Sequence, residues 1–229
     1  METGDSVFVG DRLVTAPASS AEVVFVDESR MKLAPNTDLE ITGYLYDPDV
    51  ETRQGLISLA YGRARFSMRD LHRLGEKRFR VLTRTAVIVS GDTDFIVALD
   101  REHARDEVCR DGLLSVLCLG NSVVVVSLEF PGSPAVLSSK MISRVCGPNM
   151  AAPPRFATPA ELSAILAGLD RIGNTGITLP RSVVTFCTDA LGTFHFPKRH
   201  SAFWSNITPL SVVGQSYKGA EFHLLERDR

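Results

Sequence analysis

The sequence predicts an all-β module, either a sandwich or a short-stranded solenoid-like stack, with one C-terminal capping helix. Three observations predict this fold. Short apolar runs alternate with polar residues at a period of two, which is typical of half-buried strands. Proline, asparagine, aspartate and glycine separate the runs, as they do at turns. No helical pattern lies between the runs, although a parallel α/β sheet needs a crossover after nearly every strand.

The predicted strands fill the first two thirds of the chain. The segment 21–41 alternates with interruptions at Asp27-Glu28-Ser29 and Pro35-Asn36. Asp47-Pro48-Asp49 is the next breaker, because proline cannot donate to a ladder and aspartate bonds its own backbone. The remaining predicted strands are Leu56–Leu59, Arg63–Met68, Phe79–Ser90, Asp94–Leu99, Gly112–Leu119, Ser122–Glu129 and Ala135–Val145.

One helix is predicted from Pro159 to about Asp170. Thr158 stands at the cap position and Glu161 follows three residues later, which is the capping-box pattern. Proline suits the first helical position because its missing N–H would be unpaired there. Gly173 can end the helix. An apolar stripe on one face is formed by Leu162, Ile165, Leu166 and Leu169.

Composition divides the chain into three predicted parts. Residues 1–152 form the β domain, and residues 153–173 form a proline-rich linker with the capping helix. Residues 174–229 form a C-terminal appendage, in which proline and glycine interrupt short apolar runs. The candidate strands of this appendage are Ile177–Phe186, Ile207–Val213 and Glu221–Leu225.

Charge and length restrict the possible partners. The chain has 229 residues, 25 basic and 27 acidic side chains and a net charge of −2, with no block of like charge. Nucleic acid and anionic membrane surfaces are therefore not expected partners. The first residues contain neither a basic leader nor an apolar run, so we expect no signal peptide or spanning helix there. Either the protein works in the cytoplasm, or a leader was removed.

The four cysteines lack metal-ligand spacing. Cys109, Cys118, Cys146 and Cys187 allow three disulfide pairings in an oxidising compartment. We expect them instead to be small buried residues with free thiols, because free cysteine packs like an apolar side chain.

Two clusters of charged residues are candidate binding sites. Asp92 and Asp94 lie on one side of an extended chain, where two carboxylates can bind a cation, but aspartates beside Gly91 also accept backbone donors in a turn. We expect Asp94 to fix a turn. The most basic segment includes Arg63 and Arg65; it can contact an anionic polymer, or it is an edge strand protected by charge, which we favour. Its other basic residues are Arg69, Arg73, Lys77, Arg78 and Arg80.

No motif predicts catalysis. The chain has no nucleophile elbow and no phosphate-loop spacing. Cys187, His195 and His200 are too loosely spaced to impose zinc geometry, so we expect no metal and no cofactor.

Three stretches resemble the FecR-domain family. Gly10-Asp11 with the strand after it resembles the family's opening. Residues 25–37, F-V-D-E-S-R-M-K-L-A-P-N-T, are similar to F-x-D-G-S-x-L-x-L-x-P-N-S, and residues 85–95, T-A-V-I-V-S-G-D-T-D-F, to T-A-x-I-G-V-R-G-T-D-F. The sequence departs from the pattern at Glu28 and Asp92. Both residues stand where the family usually has a turn glycine, which supplies a positive φ angle. The resemblance covers roughly residues 7–170.

The resemblance implies a β-rich module outside the cytoplasm without catalytic residues, closest to the stand-alone exported type that lacks the anti-sigma segment. We therefore expect a non-catalytic module for protein recognition or signal relay in the bacterial cell envelope, with an envelope protein as partner. The alternative is a ligand- or cation-binding domain, or an enzyme, whose site is assembled from distant residues. Expected structural residues at turns and caps are Asp11, Asp27, Asn36, Asp94, Thr158 and Glu161.

Overall fold

The computed structural model describes residues 5–49, 52–70, 76–101, 109 and 111–169, together with 194–195 and 222–223. The chain divides into two compact units, residues 1–184 and 185–229. The first contains strands β1 (Arg12–Val14), β2 (Ala21–Val24), β3 (Arg30–Leu33), β4 (Asp38–Asp47), β5 (Thr52–Ser67), β6 (Glu76–Leu82), β7 (Ala86–Ser90), β8 (Asp94–Asp100), β9 (Leu113–Cys118), β10 (Ser122–Ser127), β11 (Ala135–Ser138), β12 (Met141–Cys146) and β13 (Arg155–Phe156), followed by helix α1 (Pro159–Leu166).

Strand β5 joins the two halves of one curled sheet. It pairs with β4 up to Tyr61 and, in parallel, with β6 up to Ser58. It pairs with β8 from Gly62 onward and with β3 from Ala64 onward. Gly62, with φ +94°, lies at the change, and a Cβ there would come within 2.4 Å of the Thr37 Cα. Glycine therefore allows the strand to turn between its partners. The first half-sheet has the order β1-β4-β5-β6-β7-β10-β11, and the second β2-β3-β5-β8-β9-β12-β13.

The inner faces of the half-sheets meet in one apolar core. Phe79 of the first half lies 5.4 Å, between ring centroids, from Phe66 in the second part of β5, and Phe66 stacks on Phe95 at 5.1 Å. On one side of these rings, Phe25 stacks on Tyr44 at 4.6 Å. Burial of such rings contributes strongly to stability. The predicted all-β class with a C-terminal helix is confirmed, and the strands form one sheet that is curled into a half-barrel.

Several predicted strand limits are wrong. The two runs predicted at 56–59 and 63–68 belong to the single strand β5, whereas the run predicted at 79–90 is divided between β6 and β7. The hydroxyl of Thr83 accepts from the Ala86 N–H at 3.1 Å and donates to its carbonyl at 2.9 Å, which closes the turn between them. Period two continues across such a turn, so it does not reveal the break.

The predicted capping box is confirmed, and the helix packs on the outer face of the second half-sheet. The Thr158 hydroxyl accepts from the Glu161 N–H, and the Glu161 carboxylate accepts from the Thr158 N–H. The helix ends at Leu166, earlier than predicted, and Gly168 follows with φ +86°. Gly173 and Asp170 lie outside the described residues. The apolar contact is made by Ala34, Ile96, Leu117, Ile142, Ile165 and Leu169.

The expectation of free thiols is wrong for one pair of cysteines. Cys109 and Cys146 form a disulfide with their Cα atoms 4.8 Å apart. Sheet register explains the proximity, because Cys146 lies opposite Leu113, four residues after Cys109. Cys118 is a buried free thiol, and burial raises its pKa. Cys187 lies outside the described residues.

In the second unit, a two-stranded parallel pair joins β14 (Phe194–His195) to β15 (Phe222–His223). The strand predicted at Glu221–Leu225 contains β15. Those predicted at Ile177–Phe186 and Ile207–Val213 lie outside the described residues.

Candidate functional site

The most concentrated set of charges in the described chain surrounds Arg53, whose side chain is fully buried. Its Nη1 donates to Asp27 Oδ2 at 2.8 Å, and its Nη2 donates to Asp92 Oδ1 at 2.5 Å. Asp27 is also fully buried, and the Asp92 side chain is 10% exposed. Two carboxylates thus share one guanidinium, which is the charge geometry that arginine satisfies best.

The same guanidinium binds backbone carbonyls from two loops. It donates to the Arg69 carbonyl at 2.9 Å, just after β5, and to the Gly91 carbonyl at 3.4 Å, in the β7–β8 turn. Ser29 completes the group: its hydroxyl donates to Asp27 at 2.7 Å and accepts from the Arg69 N–H at 3.0 Å. Three separate loops are therefore tied to one side chain.

Tyr44 lies beside this group in the core. Burial above all, and then the nearby Asp27 carboxylate, raise the pKa of the Tyr44 phenol well above its ordinary value. The phenol therefore stays protonated and adds no charge. Because Arg53 and Asp27 have no exposed surface, a solute cannot reach the pair, and the group acts as a structural tie.

Asp94, predicted to fix a turn, is bound elsewhere. Its carboxylate accepts two hydrogen bonds from Arg65 on the neighbouring strand, at 3.0 and 2.6 Å, and both side chains are 29% exposed. The backbone donors of its own turn do not contact the carboxylate, since β8 already begins at this residue. Asp92 and Asp94 therefore bind different arginines and do not form one site.

The basic segment is not an edge strand. Arg65 in β5 lies opposite Lys32 of β3 and Ile96 of β8, so the prediction of a solvated edge is wrong. Arg63 donates to the Ala164 and Ala167 carbonyls at 2.6 and 3.1 Å and so binds the C-terminal end of α1. Arg80 is buried. Arg73 lies outside the described residues.

The remaining predicted turn residues lie at backbone bends. The Asp11 carboxylate accepts from the Phe8 N–H at 2.8 Å, and Asn36 has φ +56°. Glu28 has φ +67°, the left-handed conformation expected of the glycine it replaces, while Asp92 does not have a positive φ. The second departure from the family pattern therefore requires no unusual backbone.

Within the described ranges, no group of three or more histidine, cysteine, aspartate and glutamate side chains is placed to hold a metal ion. His200 and Cys187 lie outside those ranges. The described part of the chain also contains no helix with the length and apolar character needed to cross a membrane.

Sequence reasoning missed Arg53. The residue has a detectable signal, because it precedes Gly55, Ile57 and Leu59 at a period of two, and all three side-chain positions face the core. A charged residue at an inward position requires a buried partner. That partner, Asp27, lies 26 residues earlier.

Residues 11–113 match the family model described as FecR protein. The resemblance to the FecR family that the sequence predicts is confirmed over this range. Two crystal structures, at 1.65 and 2.50 Å, are described as "a putative anti-sigma factor from Parabacteroides distasonis ATCC 8503". Both align with this chain at 21% identity, with TM-scores of 0.51 and 0.50. Each alignment covers 69% of this chain and 65% of the chain in the crystal structure. At this identity the likeness shows a shared fold. No curated protein matches the sequence.

Proposed function

We propose that this FecR-domain protein is a non-catalytic module that relays a signal by recognising a protein partner in the bacterial cell envelope. The family match and the "anti-sigma factor" description of the structural neighbours support signal relay. The single observation that carries the non-catalytic part is the state of the charges at the candidate site. Asp27, Asp92 and Arg53 bind one another inside the fold and leave no reactive group at a surface.

The disulfide supports the proposed location. Disulfides persist in oxidising compartments such as the bacterial periplasm, whereas cytoplasmic thiols are kept reduced. Cys109 and Cys146 are joined and Cys109 is buried, which fits a protein that folds after export. Alkylation of free thiols in intact cells, with the labelled cysteines identified by mass spectrometry, tests this location: unlabelled Cys109 and Cys146 support it, and alkylation of both overturns it. Cys118, buried and free, reports on unfolding in the same sample.

Recognition of a partner falls to surfaces outside the buried group. Of the predicted binding residues, Asp94 and Arg65 are the accessible pair, each 29% exposed. Crosslinking of the full chain in the native envelope, followed by mass spectrometry, tests the proposal. We expect one envelope protein to be enriched relative to a control sample that contains the unfolded chain. Deletion of that envelope protein from cells should abolish the downstream response. A response that persists without any partner contradicts relay.

Metal titration separates this proposal from the cation-binding alternative. Asp94→Asn removes one carboxylate while leaving the Arg53 group intact, so the variant should fold normally. Calorimetry with calcium and magnesium should show no binding to the parent chain. Saturable binding that Asp94→Asn abolishes would mean that the protein is a cation-binding domain.

A further inference from the structure

Helix α1 belongs to a small apolar cluster on the outer face of the second half-sheet. In β8, Phe95 and Val97 lie in the main core, whereas Ile96 between them lies in the cluster of the helix. Ile96 is opposite Leu117 of β9, and Leu117 is opposite Ile142 of β12. Among the described residues, the cluster that these three side chains form with the helix shares no member with the main core. The helix can therefore leave the sheet without opening that core.

Few apolar side chains hold the helix on the sheet. Ile165 and Leu169 are 8% and 1% exposed, whereas Leu162 and Leu166 are only partly buried. The free energy needed to expose apolar side chains rises with the area that becomes wet. Unfolding of the sheet exposes the whole main core, so release of the helix alone requires much less free energy than global unfolding.

Arginines of the sheet bind both ends of the helix. Arg63 of β5 donates to the Ala164 and Ala167 carbonyls at 2.6 and 3.1 Å, where the helix ends and its carbonyls lack N–H partners. The helix has no basic residue in its own last turn, so Arg63 provides the cation that a helix C-terminus favours. At the other end, Arg144 of β12 donates to Glu161 at 2.8 Å. The docked position thus depends on charges that the sheet supplies.

The helix is too short to persist once it leaves the sheet. It has eight residues, whereas isolated helices shorter than about 12–15 residues are marginal in water. Pro153-Pro154, shortly before it, cannot extend it towards the N-terminus. Release from the sheet and melting of the helix are therefore one event, and the segment has two states.

We propose that residues 158–169, called the strap below, switch between a docked helix and a released coil while the sheet stays folded, with Arg63 as the latch. This inference deepens the proposed function, on which its role in relay rests, by naming the element that changes state. Ordering and melting of a segment is an established type of switch. Arg63 is half-buried, so a partner can reach the latch, whereas the Arg53 group is closed to it.

Amide hydrogen exchange of the full chain, followed by NMR, tests the strap. The probes are the Leu162 and Ala167 amides, which donate to the Thr158 and Ser163 carbonyls, and the reference is the set of amides in β9. We expect faster exchange in the strap than in β9. Low urea should barely change the strap rates, because opening exposes little surface. Equal rates and equal urea dependence in both places would overturn the inference.

Two arginine variants on one face of β5 provide the matched comparison. Arg63→Met removes the latch, whereas Arg65→Met removes a partner of Asp94 that does not bind the helix. Arg63→Met should speed exchange in the strap by about tenfold, the scale of a hydrogen bond from a charged donor, and leave β9 unchanged. Arg65→Met should leave the strap unchanged. Equal effects of the two variants on the strap would contradict the latch.

Gly168→Ala opens the strap without touching a charge. Gly168 has φ +86°, and a Cβ there would lie 3.1 Å from the Pro35 Cδ. An alanine is therefore strained while the strap is docked and relaxed once it is released. Exchange should rise in the strap alone. A rise of the same size in β9 would mean that helix and sheet open together, which overturns the inference even where Arg63→Met does not fold.

The envelope crosslink distinguishes this inference from the proposed function. If the enriched partner, once bound, leaves exchange in the strap unchanged, the strap has no part in relay, and the proposed function stands without it. If the parent chain has no envelope partner, the proposed function is wrong, and the exchange rates of the parent and of Arg63→Met still decide whether the strap opens on its own.

Discussion

Arg53 donates to Asp27 across 26 positions of sequence, and both side chains are completely removed from solvent. Asp27 lies in the turn between β2 and β3, whereas Arg53 lies near the start of β5. The pair therefore connects an edge of the second half-sheet to the strand that both halves share. Transfer of two charges into the core is costly unless each keeps its partner.

We expect Arg53→Met to destabilise the protein by about 3–5 kcal/mol, because it leaves two buried carboxylates without a cation. Urea unfolding measures the loss. Arg69→Met is the matched control: the Arg69–Glu28 pair is 49% and 67% exposed, and such surface pairs contribute about 1 kcal/mol or less. An Arg53→Met variant as stable as the parent would show that the group is not a structural tie.

Glu28→Gly should stabilise the protein by about 0.5–1 kcal/mol. Glycine adopts a positive φ without the steric cost that an L-residue bears there, and this gain exceeds the entropic cost of ordering a glycine. The measurement is the urea midpoint. Asn36→Gly, at a similar backbone angle, should have a smaller effect because asparagine tolerates this region. A lower midpoint for Glu28→Gly would contradict the argument.

Thr158→Ala should destabilise the protein by about 1 kcal/mol, since the threonine hydroxyl accepts from a backbone N–H that has no helical partner. Ser163→Ala is the control, because Ser163 is an exposed residue of the same helix. Equal midpoints for the parent and Thr158→Ala would mean that the docked helix contributes nothing to the stability of the module.

Acid should weaken the start of the helix through Glu161. Hydrogen bonds from Arg155 and then from Thr158 hold the pKa of Glu161 well below its ordinary value of 4.5. The carboxylate therefore contributes stability that is complete above pH 4.5 and is lost as the pH falls through the lowered pKa. Thermal melting at pH 6 and about pH 3 should show a smaller acid-induced decrease for Glu161→Gln than for the parent. Identical decreases would exclude the contribution.

The β module should fold without residues 174–229, as the proposed domain limits require. Both described apolar clusters end with residues no later than Leu169. A chain of residues 1–173 should give a single cooperative melt and the disulfide of the parent. If that chain is unfolded, the C-terminal segment supplies part of the core.

Local patterns predicted local structure well. The alternation around Val23 and Met31 and the capping box at Thr158 involve neighbours within a few positions, and each was found where predicted. The long β5, by contrast, contains Gly62 at a point where a break in the pattern resembles a turn. The strand nevertheless continues through Gly62, which lies opposite Leu99 of β8.

The candidate site depends on distant contacts, and its key residue was therefore missed. Asp92 was identified from its neighbours, but Arg53 lies 39 positions away and belongs to another strand. The disulfide was missed for the same reason, since the register of β9 against β12 is not encoded in cysteine spacing. In a sheet of this kind, chemistry is determined by which strands pair.

Because β5 belongs to both half-sheets, neither half can complete its ladder alone. Separation of β5 from β8 would leave the strand attached to β4 and β6 but would open the core that the facing halves enclose. We therefore expect the two halves to unfold together, in a single cooperative step.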